Sequence, residues 1–225
     1  MVANMGAAFF LFAFAFLEKE PAFKCQLTPG SNEWTYGTDD NPLEEEFCSA
    51  QYTCEIDWDD PQSLHNLLEQ LDFYCAPKLV VGLVGFTFLL GIVVGCLTLT
   101  RLGDYYGRKP IYMLGLLMHL VITIGLVFST DPIIDFILLF GLGLSLTARY
   151  YVGYTFNIEM QPKSHQVLVG TCQFISEALV YIFICIYFSS ISKEWRLLQI
   201  PNVTLTSIGI VFLFTMPESP RFLIS

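Results

Sequence analysis

Long apolar runs broken by short polar stretches set the pattern of this chain. Leu79–Leu99 and Ile111–Ser129 are two such runs. At about 1.5 Å per helical residue, each reaches across the roughly 30 Å hydrocarbon core of a bilayer. The pattern returns from Ile133 to about Ile158, from Val167 to about Ser190 and, shorter, from Pro201 to Met216. Val2–Leu17 is apolar for sixteen residues, a turn or more short of a comfortable span. A signal peptide would carry a basic n-region and a small-residue cleavage site, whereas Glu18-Lys19-Glu20-Pro21 follows here. The reading is an all-α membrane protein of six helices. Residues 1–17 form a first helix whose beginning is missing, and helices two to six lie within 79–216.

The polar breaks differ from one another. Residues 18–78 hold fourteen acids and only Lys19, Lys24 and Lys78 as bases, so the net charge of −10 belongs to this one loop. That balance speaks against a nucleic-acid partner. Pro29-Gly30, Asn41-Pro42 and Asp60-Pro61 mark turns, and leucines at 64, 67, 68 and 71 predict a short amphipathic helix over Ser63–Asp72. Cys25, Cys48, Cys54 and Cys75 lie in the loop without the tight spacings of a metal site, so up to two disulfides are expected, in any of three connectivities.

Thr100–Pro110 reads T-R-L-G-D-Y-Y-G-R-K-P and separates two spans by a tight hairpin outside the bilayer. Arg101, Arg108 and Lys109 place it on the cytoplasmic side. Gly103 and Gly107 permit a sharp turn, and Asp104 is set to cap a helix or meet Arg108. With six spans, both termini are then cytoplasmic and the acidic loop is external.

Ionisable groups at bilayer depth are costly and face a partner or a cavity. Arg149 and Glu177 are the clear cases; counted from the loop between their helices, each lies roughly 13–15 Å in. Opposite charges at one depth suggest an ion pair, either bordering a transport pathway or purely structural. Tyr150, Tyr151, Tyr154 and Phe156 crowd the same helix, either as a cation–π face or as packing. His119 reads as a packed histidine. No nucleophile–base spacing, metal-ligand cluster or phosphate loop is present, so neither an enzyme nor a cofactor is indicated.

The hairpin resembles the signature between the second and third helices of the major facilitator superfamily, G-x-L-x-D-R-x-G-R-K. Leu102, Asp104, Gly107, Arg108 and Lys109 match, Thr100 replaces glycine and Tyr105 replaces arginine. Gly153–Glu159 (G-Y-T-F-N-I-E), Glu194–Gln199 (E-W-R-L-L-Q) and Pro217–Ser225 (P-E-S-P-R-F-L-I-S) together resemble the organic cation, carnitine and organic anion branch. Phe222 stands for tryptophan there, and Ser164-His165-Gln166 stands where that branch usually carries arginine. The four-cysteine external loop is similar to that branch and not to sugar porters.

The resemblance implies a cytoplasmic gate network of Asp104, Gly107, Arg108, Lys109, Glu159, Glu218 and Arg221. It also implies transport of small organic ions by alternating access, with Arg149, Tyr150, Tyr154 and Glu177 along the substrate pathway. Such transporters have two six-helix halves with the substrate between them. The chain is therefore expected to be a fragment or truncated form, needing a C-terminal half or a second copy. Its surroundings would be the lipid bilayer, and the plasma membrane in particular. A sugar-type transporter and a membrane-anchored receptor using the cysteine-bearing loop are the alternatives. Substrate charge stays open.

Overall fold

The computed structural model describes residues 2–26, 34–36, 48 and 53–218. Among the described residues five helices are long and apolar enough to cross a membrane: α3 (Lys78–Tyr106), α4 (Arg108–Phe128), α5 (Pro132–Glu159), α6 (Gln166–Ile191) and α7 (Trp195–Thr215). Before them come α1 (Val2–Leu17), apolar but shorter, and the one-turn α2 (Leu67–Gln70). Outward-facing side chains are apolar; Leu79, Val121, Phe128 and Val167 are all at least two-thirds exposed. Such an oily exterior around a partly polar interior suits lipid as solvent.

Helix boundaries exceed the apolar runs. α3 continues seven residues beyond Leu99, through most of the signature, and the turn into α4 is made by Gly107 alone. Its φ of 100° is available to glycine without strain. The expected eleven-residue hairpin is thus mostly helix, with Gly103 buried against Val152. α7 begins at Trp195, before Pro201, because Trp195, Leu198, Gln199 and Asn202 already form one buried stripe. α5 starts as its sequence dictates: Asp131 accepts from the Ile133 amide at 2.9 Å and Pro132 takes the first turn.

Small residues set the helix spacing. A Cβ on Gly91 of α3 would strike the Phe140 carbonyl of α5, and one on Gly143 would strike the Phe88 carbonyl in return. The two backbones therefore touch, the close approach that association in lipid favours. α1 lies inside the bundle against α6 and α7, with Ala7, Ala8 and Ala13 fully buried. Phe14 of α1 stacks on Phe88 of α3 at 4.7 Å.

The segment between α1 and α3 carries a small sheet that the sequence reading missed. β1 (Phe23–Gln26) runs between β2 (Thr35–Tyr36) and β3 (Thr53–Ile56), both antiparallel to it. Cys25 faces Cys54 across the β1–β3 ladder and is bonded to it, and Cys48 is bonded to Cys75. Of the three connectivities, sheet register selects this one. The expected helix over Ser63–Asp72 shortens to α2, capped by Asn66, whose side chain accepts from the Glu69 amide. Asn66 also donates to the Phe16 and Lys19 carbonyls, and Gln70 to those of Leu126 and Ser129. One helical turn thereby satisfies carbonyls at the ends of α1 and α4.

Candidate functional site

Two sets of functional residues lie at different depths. The first is built on the middle of α5, where residues Ala148–Val152 form a π-helical turn. An extra residue in a helix re-aims the side chains around it, and such turns gather at functional positions. Arg149 is completely buried and its Nη2 donates to Thr206 Oγ1 of α7 at 3.3 Å. α1 closes over it at Gly6: a Cβ there would lie 2.7 Å from Thr206 Oγ1 and 2.8 Å from Arg149 Nη2. The next residue, Tyr150, turns to α6, where its hydroxyl donates to Glu177 Oε2 at 2.5 Å. Gln173 Nε2 donates to the other carboxylate oxygen at 3.3 Å, and Asn157 donates to Gln173 Oε1 at 3.4 Å.

The expected Arg149–Glu177 ion pair does not form. Equal depth on consecutive helices is not enough, because the π-turn and the cover of α1 direct the guanidinium to α7. Tyr150 and Gln173 take the carboxylate instead. Tyr154 packs its ring against Phe174 at 5.8 Å, and its hydroxyl approaches Gly170, so it joins the α5–α6 seam. Tyr151 points outward at 51% exposure, and Phe156 is core packing beside Tyr112.

His119 is a buried hydrogen-bonded histidine, as read from sequence. Its Nε2 lies 3.4 Å from Asn202 Oδ1 and its Nδ1 3.5 Å from Ser145 Oγ. Around it runs a polar seam that sequence reading did not single out. Tyr112 donates to Asn4 at 2.6 Å, Asn202 to Gln199 at 2.9 Å, and Thr206 to the Asn202 carbonyl at 2.8 Å. A signal was present: Gln199, Asn202 and Thr206 recur at helical spacing on the one face of an otherwise apolar span.

The second set sits at the α3–α4 turn. Arg108 Nη2 donates to Asp104 Oδ1 at 3.1 Å and its Nε to Glu159 Oε2 at 3.0 Å. Glu159 ends α5, so this guanidinium joins three helices. The Lys109 amide donates to Glu218 Oε1 at 3.0 Å, and its ammonium group to the Met216 carbonyl, drawing in the segment after α7. Asp104, Gly107, Arg108, Lys109, Glu159 and Glu218 are therefore one neighbourhood; Arg221 lies outside the described residues.

Residues 32–225 match the family described as "Sugar (and other) transporter". The chain belongs to this family of the major facilitator superfamily. Among curated relatives, mouse solute carrier family 22 member 21 is 28% identical over 188 residues, covering 81% of this chain and 32% of the relative. Mouse organic cation/carnitine transporter 2 is 25% identical over 190 residues, covering 81% and 32%. The Escherichia coli inner membrane metabolite transport protein YgcS is 29% identical over 153 residues, covering 64% and 34%. The chain spans about a third of the length of these relatives. As a family member with five membrane-length helices it is an integral membrane protein, and its named relatives are transport proteins.

Proposed function

We propose that this chain forms the N-terminal six-helix half of a transporter that moves small organic ions by alternating access. α1 is its first span, the disulfide-bonded segment is an external loop, and the α3–α4 turn and both termini are cytoplasmic. The observation that carries this reading is the Glu177 carboxylate. It sits 3% exposed among membrane-length helices and, among the described residues, has only the neutral donors Tyr150 and Gln173 on it. A buried carboxylate without a cation is expensive in lipid and marks an ion path by default. Tyr150 beside it, and Tyr154 farther along the α5–α6 seam, supply aromatic faces for an organic cation, worth about 0.5–2 kcal/mol each. Arg149 braces this wall from behind.

The Arg108 cluster acts as the cytoplasmic latch. Asp104 and Glu159 share one guanidinium, so loss of one bond leaves the other, and a latch of this kind has two discrete states. A second six-helix bundle faces α5 and α6 and completes the pathway, in the plasma membrane on this reading.

Proteoliposomes test the reading, holding this chain alone or together with the second half of mouse organic cation/carnitine transporter 2. Uptake of tetraethylammonium or benzoate in either preparation, lost in Glu177→Gln, supports it. No uptake of either ion in both preparations sinks it and favours a receptor role for the loop.

A further inference from the structure

A cleft of about 240 Å³ opens where α2 meets the start of α7, away from the α5–α6 wall. His65, Glu69, Gln70, Glu194, Trp195 and Arg196 line it. Its frame is fixed by backbone bonds that owe nothing to a ligand. The His65 amide donates to the Lys193 carbonyl at 3.0 Å, the Trp195 amide to the His65 carbonyl at 3.1 Å, and Tyr187 to the Glu194 carbonyl at 2.8 Å. Lys193 fastens the far side by donating to the Trp58 and Asp60 carbonyls at 2.6 and 2.7 Å.

The charges in the cleft are unequally used. Glu69 is occupied by His65, 2.8 Å away, and Trp58 stacks on that imidazole at 4.0 Å. Among the described residues Arg196 spends only its Nε, on Gln70 Oε1 at 3.3 Å, leaving both terminal nitrogens of the guanidinium for a bidentate partner. The Glu194 carboxylate makes no hydrogen bond or ion pair among the described residues, while its backbone is held at both ends. One fork of donors and one carboxylate, two residues apart at the fixed start of α7, remain beside the ring of His65.

We propose that this cleft binds a small zwitterion of the free α-amino acid class, its carboxylate on Arg196 and its ammonium on Glu194. A pure cation would meet Arg196 unmatched, and a pure anion would meet Glu194; a molecule carrying both charges satisfies both. The volume admits one amino acid. Because α2 also caps α1 and α4, an occupied cleft holds the loop onto three helices at once. The proposal is independent of the transport reading, since no residue of the α5–α6 wall enters it.

The test uses the full chain in phospholipid nanodiscs with L-glutamine as probe, followed by tryptophan fluorescence and by equilibrium dialysis. Ethylamine and propionate serve as half-ligands. Glutamine binds saturably at millimolar concentration, and each half-ligand binds at least about tenfold more weakly, the loss of one charge-assisted contact. Arg196→Met and Glu194→Gln each weaken glutamine by a similar factor at unchanged melting temperature, and Arg196→Lys recovers part of it. No saturable binding, or equal binding by the half-ligands, overturns the proposal. Binding abolished by Glu177→Gln overturns it too, since the amino acid would then sit in the pathway.

Discussion

Arg149 and Tyr150 are adjacent in sequence and fasten opposite sides of the bundle, Arg149 to Thr206 of α7 and Tyr150 to Glu177 of α6. The π-turn that contains both separates a buried cation from a buried anion which their depth alone would have paired. Arg149 is thus tied to α7, and Glu177, on the proposed reading, borders the pathway. Arg149→Met leaves a void and strands polar partners, costing about 1–3 kcal/mol and several degrees of melting temperature in detergent. Glu177→Gln keeps an oxygen for the Gln173 amide and turns its own amide to donate to the Tyr150 hydroxyl oxygen, so the melting temperature is nearly unchanged while uptake falls. Exchanging the charges, Arg149→Glu with Glu177→Arg, recovers neither loss; recovery would show that the two side chains interact directly.

At Gly91 and Gly143 the α3–α5 contact admits no side chain. Gly91→Val and Gly143→Val each push carbonyls apart and cost at least the roughly 1–3 kcal/mol of an overpacked site. Gly82→Val on the same helix is harmless to folding, because nothing lies within 4 Å of a Cβ built there. Thermal unfolding of the three variants, read side by side, checks the crossing; equal melting of all three would refute it.

At the α3–α4 turn the two carboxylates of Arg108 are not equivalent. Asp104 is 66% exposed on its side chain and Glu159 only 7%. Asp104→Asn therefore costs under about 0.5 kcal/mol, as exposed pairs do, and Glu159→Gln about 1–3 kcal/mol, as buried partners of a charge do. A double-mutant cycle at Arg108 gives the larger coupling energy to Glu159; a larger coupling to Asp104 would mean that the guanidinium sits elsewhere.

Glu18, just past the end of α1, lies against Gly85 of α3, where a Cβ would come within 2.8 Å of its carboxylate. Burial of the carboxyl raises its pKa from 4.5 to about 7. A carboxyl raised on folding is stabilised in its protonated form. Its contribution is present in full below pH 4.5 and is lost as pH rises through about 7. Glu18→Gln accordingly raises the melting temperature at pH 8 and leaves it unchanged at pH 4. A gain at both values would remove the titration from the explanation.

The sequence by itself determined the helical bundle, because an apolar run of twenty residues has one stable answer in lipid: close every backbone bond within the run. It also named the residues of the Arg108 neighbourhood, since Gly107 and the charges beside it stand out against apolar flanks. His119 was readable as buried for the same reason. What it left open were relations between helices. Depth along a helix follows from counting residues, but azimuth does not, and a single π-turn was enough to send Arg149 and Tyr150 to different neighbours. The disulfide pairing waited on the register of β1 against β3, and the polar seam of Asn4, Tyr112, Asn202 and Thr206 on which faces three helices present to one another. Only the tertiary structure decided these, because a side chain in lipid takes its partner from the helix packed against it and not from the chain on either side.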